Sequence, residues 1–194
     1  MTAGHNDLCG NARVGREIGG RLDIVIRSAI SRSRSSHDEA QRLLNSGFYS
    51  PSFVWSVRSV EIFVKEVCLL PIYFEETGDF NTSWRRVRLT FGSSKWQSAM
   101  KVVEETYGPF EEMITEDGEN VWEVWKTVFV RKRGEVAHGR TEAGEDLARL
   151  AVQWADQFRS QFTMRLIAAG QHPLASLFVQ LLGSTLARPI RGDE

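Results

Sequence analysis

The sequence predicts an all-α fold, a helical bundle of four to five main helices with short additions, and three observations lead to it. Apolar residues recur at spacings of three and four along most of the chain, the signature of helices with one buried face. No stretch of any length alternates with the period of two that a strand requires, and no internal repeat is present. Glycine, proline and serine punctuate the apolar stretches where helices should start and stop. With 194 residues, 42% of them hydrophobic and six of them Trp, the chain can bury one sizeable core. The predicted organisation is a flexible tail over 1–18, one helical domain over 19–182 and a loose C-terminal tail over 183–194.

The elements follow in order. Residues 1–18 carry scattered charge and glycine without an apolar period. From Arg21, the residues Leu22, Val25, Ile26, Ala29 and Ile30 mark one helix face. Ser31 to Ser36 alternates Ser and Arg, which reads either as a basic RNA-binding segment or, preferred here, as a solvated helix section or a bend before Asp38. The period resumes at Ala40, Leu43 and Leu44 and stops at Gly47, a C-terminal cap. Ser50 is the expected N-cap of the next helix, with Pro51 in its first turn. Phe53, Val57, Val60, Val64 and Val67 then form its stripe up to Pro71. Glu61 lies one position beyond that stripe. It could orient an arginine across the bundle, or pair with Lys65 at i+4 as an exposed carboxylate, the preferred reading.

Thr77 to Asp79 forms a loop, and Thr82 or Ser83 is expected to cap a helix through Trp84, Val87, Leu89 and Phe91. A further helix fits Ser94 to Tyr107. Arg85, Arg86, Arg88, Lys95 and Lys101 make this region basic among aromatic neighbours, which suits either a nucleic-acid surface or the outer face of amphipathic helices. After Gly108-Pro109 and a turn at Gly118, a helix starts near Glu119. The last long helix has the stripe Leu147, Leu150, Ala151, Trp154, Phe158, Phe162 and Leu166. An apolar segment from Leu174 to Leu182 is expected to dock on the bundle or to cover a dimer seam.

The chemistry gathers between Val128 and Arg140. Val121, Val124, Trp125 and Val128 set a helical register that Val136 continues, and Arg131, Lys132 and Arg133 come consecutively within it. At about 100° per residue, Arg131 and His138 lie about 20° apart, whereas Arg133 and His138 lie about 140° apart. Gly134 costs roughly 1 kcal/mol against alanine inside a helix, so a break there would bring Arg133 and His138 together.

Arg133-Gly-Glu-Val-Ala-His138-Gly139 resembles the R-x(4–6)-H signature of the HEPN superfamily, all-helical domains that include metal-independent RNA-cleaving toxins and defence nucleases. The stretch from Leu43 to Glu66 is similar to the early helical hairpin of such domains, and the two together cover roughly residues 20–168. One position departs from the pattern: Gly134 stands where many active members have Asn, Asp or His. The resemblance implies a homodimer in which Arg133 and His138 of both copies line one cleft, with Arg131, Lys132 and Arg140 holding flanking phosphates. It also implies RNA as substrate, and an antitoxin or defence-system protein as a further partner. Arg133 is preferred over Arg131 as the catalytic arginine, on the family register and the expected break at Gly134. A non-catalytic RNA-binding, nucleotide-binding or protein-interaction module is the alternative.

The remaining features narrow the function. A net charge of -1 leaves any nucleic-acid contact to a local patch. Cys9 and Cys68 are too few for a disulfide framework, and Cys68 reads as a small core residue. The histidines at 5, 37, 138 and 172 have no metal-site spacing, and no phosphate-binding or nucleophile-elbow motif occurs, so neither a metal nor a cofactor is expected. His37 has no visible partner. No run reaches the 18 apolar residues of a membrane span and no secretory h-region is visible, so a cytoplasmic protein without membrane contact is expected.

Overall fold

The structure is a computed structural model that describes the backbone of residues 7–90, 96–108, 110–115 and 118–168. Side chains are described from residue 22 onward, except at 96–98 and 100. The expected Leu174–Leu182 docking segment and the C-terminal tail therefore lie outside the described residues, as do the side chains of the expected N-terminal tail. Among the described residues the chain forms six helices and no strand. The nearest thing to a strand is a single bridge between Ile114 and Asn120. The helices are α1 (Asp7–Asn45), α2 (49–77), α3 (Phe80–Thr90), α4 (Trp96–Tyr107), α5 (121–137) and α6 (Glu145–Ala168). None is long and apolar enough to cross a membrane.

Helix α1 begins at Asp7, inside the span expected to be a tail, and runs uninterrupted through Ser31–Ser36, the helix section of the preferred reading. The reason lies in the serines. Ser33 and Ser36 are buried, while Arg32 and Arg34 stay exposed. Ser33 Oγ donates to the carbonyl of Ser59 at 2.7 Å and Ser52 Oγ to that of Ala40 at 2.8 Å, so α1 and α2 meet along a seam of small, satisfied hydroxyls. The hairpin between them closes on Gly47 (φ +77). Phe48 N donates to Leu43 O at 2.9 Å and Gly47 N to Leu44 O at 3.0 Å, a Schellman end that needs a left-handed residue at Gly47.

Helix α2 carries its expected stripe: Phe53, Val57, Val60, Val64 and Val67 are all fully buried. Its start is not capped by Ser50. The first helical carbonyl is that of Phe48, which accepts from Ser52 N, and the Ser50 hydroxyl is used elsewhere. The helix is π-helical over Phe63–Leu69 and passes Pro71 to end at Gly78. A proline lacks the N–H that a regular turn would use, and the wider π segment directly upstream relaxes that geometry. Asp79, rather than Thr82 or Ser83, caps α3, its Oδ2 accepting from Thr82 N at 2.7 Å. Asn120 caps α5 in the same way, accepting from Glu123 N.

The core is aromatic where α5 and α6 cross. Trp122 stacks on Phe158 with centroids 5.5 Å apart, and Phe158 on Phe162 at 5.4 Å, while Phe110, Tyr107 and Phe63 close around Phe162. Two members of the expected stripes fall outside it. Leu150 and Val128 are both exposed, their places taken by Ala148 and Val152 on α6 and by Phe129 on α5. Cys68 is buried as a core residue, and burial pushes its thiol pKa well up.

Candidate functional site

The register of α5 decides which cation turns inward. Its first turn is α-helical over Val121–Val124, then π-helical over Trp125–Phe129, then α-helical again over Val130–Ala137. A π segment accommodates an extra residue, so every position after it is rotated relative to a uniform α-helix. Val128, which the uniform register buries, is thereby 39% exposed, and Phe129 is buried instead. Arg133 is four residues beyond Phe129 and three before the buried Val136, and so falls on the inward stripe.

There it meets α2. Arg133 Nε lies 3.2 Å from Glu61 Oε1, although its hydrogen is not aimed well enough for a hydrogen bond, so the contact is one of charge. Glu61 also receives Lys65 Nζ at 3.7 Å. Glu61 thus contacts an arginine across the bundle as well as Lys65 at i+4, but with its side chain 13% exposed it is not the exposed carboxylate of the preferred reading. Among the described residues no other carboxylate engages Arg133, whose side chain is 42% exposed.

Gly134 does not break the helix. Segment Val130–Ala137 is α-helical through it, and a Cβ placed there would have no neighbour within 4 Å. On such a helix Arg133 and His138 of one chain diverge by about 140°, so the structure does not bring them to one face by the expected break. Arg131 and His138 share the outer face and both are exposed. Lys132 is exposed and paired with Glu135 at 3.1 Å, whereas Arg131 and Arg140 have no carboxylate partner among the described residues.

His138 is the last residue of the helix end, and its backbone is fixed from both sides. Gly139 N donates to Val136 O at 3.0 Å and Arg140 N to Glu135 O at 2.9 Å, with Gly139 at φ +65, a second Schellman end. The following loop is tied down by the first turn of α2. Ala143 N donates to Ser50 Oγ at 2.9 Å, and Tyr49 OH donates to Glu145 Oε2 at 3.0 Å. Arg149, then Tyr49, hold the Glu145 carboxyl below its ordinary pKa. Nothing local in the sequence announces this clamp, because Ser50 and Ala143 are 93 positions apart.

A second polar group lies between α1 and α6, at the histidine to which the sequence assigned no role. His37 is largely buried, its Nε2 4.0 Å from Asp156 Oδ1 and its Nδ1 without a hydrogen-bond partner. Arg159 reaches Asp156 at 3.1 Å and the Ser33 carbonyl at 3.3 Å. Burial, then the charge of Arg159, hold the His37 pKa below 6.5. Among the described residues no three His, Cys, Asp or Glu side chains group as a metal site would require. Comparison of the chain with protein-family models, curated proteins and solved structures finds no match.

Proposed function

We propose that this chain is a metal-independent endoribonuclease of HEPN type, cytoplasmic, acting as a homodimer in a toxin or antiphage-defence setting. The observation that supports it best is the pairing of an arginine braced by a shielded carboxylate, Arg133 on Glu61, with an exposed histidine held at a locked helix end, His138. Because these two side chains diverge within one chain, a cleft shared by two copies is the arrangement in which both could face one phosphate. In that cleft one imidazole takes the proton from the RNA 2′-hydroxyl as its oxygen bonds to phosphorus. The bond to the 5′-oxygen breaks, and the imidazolium of the other copy protonates it. Arg133 stabilises the charge on the phosphorane oxygens with its planar fork. Arg131, Lys132 and Arg140 hold neighbouring phosphates. An antitoxin or defence-system protein would be the regulatory partner.

The purified protein should cut RNA in excess EDTA, leave 2′,3′-cyclic phosphate and 5′-hydroxyl ends, and leave DNA intact. His138→Ala should abolish cleavage without altering the melting temperature. One observation favours a second reading: Glu61 already balances the charge of Arg133, and Gly134 leaves the motif without its usual polar neighbour. A wild type that binds RNA of several classes and cuts none of them would establish the non-catalytic binding module instead.

A further inference from the structure

Helix α3 is anchored by little of its surface. Only Ser83 and Val87 are buried, while Arg85, Arg88 and Leu89 are exposed and Phe80 and Trp84 are half-buried. Between residues 80 and 90 the chain has three arginines and no acid. Arg86 is occupied, paired with Glu76 and lying 5.9 Å over the Tyr73 ring. Arg85 and Arg88 have no carboxylate partner among the described residues. Phe80, Trp84 and Arg88 form a line along the helix at successive i+4 steps. The Phe80 and Trp84 rings meet edge to face at 6.4 Å, and the Arg88 guanidinium lies 6.0 Å from the Trp84 ring. At its start the line opens into an apolar groove of about 400 Å³, lined by Ile24, Val25, Asp79, Phe80 and Asn81. That volume falls in the range of small-ligand pockets, roughly 300–1,000 Å³.

We infer that α3 is an anchoring surface for single-stranded RNA, separate from the Arg133–His138 region. Sequence-tolerant recognition of a single strand needs π-faces for bases and cations for the backbone between them, and this helix has both in one line. The groove accepts a base and not a phosphate, because it is apolar and its Asp79 carboxylate already holds the Thr82 N–H. An acidic protein segment would satisfy Arg85 and Arg88 but would leave the aromatic line and the groove unused. Glu76, which pins Arg86, lies 15 positions beyond Glu61 on α2, about 22 Å away at helical rise. A strand bound at both places would therefore run along the length of α2. The inference rests on RNA as the ligand but not on its cleavage.

The test is fluorescence anisotropy of a labelled oligouridylate, titrated with wild type, Arg85→Glu/Arg88→Glu and Trp84→Leu across a series of salt concentrations, with Trp84→Phe as the conservative control. The charge-reversal variant should bind more weakly, with a salt slope shallower by about 1.4, as two lost single-strand phosphate contacts require. Trp84→Leu should lose about fivefold or more in affinity and Trp84→Phe much less, while duplex RNA of the same length is indifferent to either. Unchanged oligouridylate affinity in the charge-reversal variant, or loss of polyglutamate binding in its place, would overturn the inference. If the protein cuts no RNA but these affinity losses appear, the nuclease reading fails and the anchoring surface stands. Cleavage with no effect of these variants on affinity gives the opposite result.

Discussion

Arg133 reaches Glu61, at 3.2 Å, because a π-helical segment one turn upstream rotates it onto the buried stripe of α5. In a uniform α-helix through Val121, Trp125 and Val128 that stripe would continue through Lys132 and not through Arg133. One extra residue in the π turn thus decides which of three consecutive cations is braced and which two face solvent.

Removing that residue should be tolerated. Deleting exposed Val128 restores an α-helical path while keeping both Trp125 and Phe129 on the core side, so the chain should still melt cooperatively. Arg133→Ala should cost only about 1 kcal/mol or less, since its side chain is partly exposed and Lys65 remains beside Glu61. Chemical denaturation of both variants checks this. A loss of several kcal/mol for Arg133→Ala would show the pair to be structural, not a brace for chemistry.

Two glycines five residues apart should respond in opposite directions. Gly134 has helical neighbours and open space around its Cβ position, so Gly134→Ala should stabilise by about 0.5–1 kcal/mol and raise the melting temperature. Gly139 sits at φ +65, where a side chain is strained, so Gly139→Ala should destabilise by roughly 1–2 kcal/mol. Thermal melts of the two single variants decide the matter.

The all-helical class and the stripe of α2 were legible because regular periodicity and buried apolar residues coincide there. Gly47 was legible, since a left-handed helix end demands glycine, whereas the same role of Gly139 was hidden inside the motif that drew attention to its chemistry. The π segments were not legible, because they leave no compositional trace and only displace a register, which is why the uniform spacing places Val128 on the buried face. Leu150 lies on a regular α-helix and fits the stripe by its spacing of three from Leu147, but Ala148, Ala151 and Val152 take the buried face there. Ser33 and Ser36 were read as solvated since a hydroxyl signals exposure until a carbonyl on another helix is in reach. At the candidate site the residue types could be named, but the partners could not. Glu61, Ser50 and Tyr49 act across long sequence separations that no local pattern encodes.

His37 should make stability pH-dependent. Its folded pKa is depressed by burial and by Arg159, against the smaller opposing pull of Asp156 and Asp38. The unfolded chain then binds a proton more readily than the folded one, so the stability from neutral His37 is complete above pH 6.5 and is lost as pH falls from there through the folded value. Urea midpoints measured across that window should fall with acidification in the wild type and fall less in His37→Gln. Equal slopes in the two proteins would remove His37 from the account.

Ser50 should control the loop behind His138. Ser50→Ala leaves the Ala143 N–H without its acceptor at a half-buried position, costing about 1 kcal/mol, and Ser50→Thr should retain the bond. Hydrogen exchange at Ala143 should accelerate in the alanine variant alone. If the loop positions His138 for proton transfer, kcat should fall in Ser50→Ala while KM changes little, and threonine should restore it.

The exposed cations around His138 should not contribute equally to RNA affinity. Lys132 already lies 3.1 Å from Glu135, so a phosphate must compete with that carboxylate, while Arg131 and Arg140 have no such partner among the described residues. Each free contact to a single strand releases counterions and adds about 0.7 to the salt slope of binding. Arg131→Ala and Arg140→Ala should each flatten the slope by about that amount, and Lys132→Ala by less. Glu135→Gln should move the other way, strengthening binding because it frees Lys132. Anisotropy titrations over a range of salt separate these outcomes, and a Lys132→Ala variant as weak as Arg131→Ala would show that the ion pair opens whenever RNA binds.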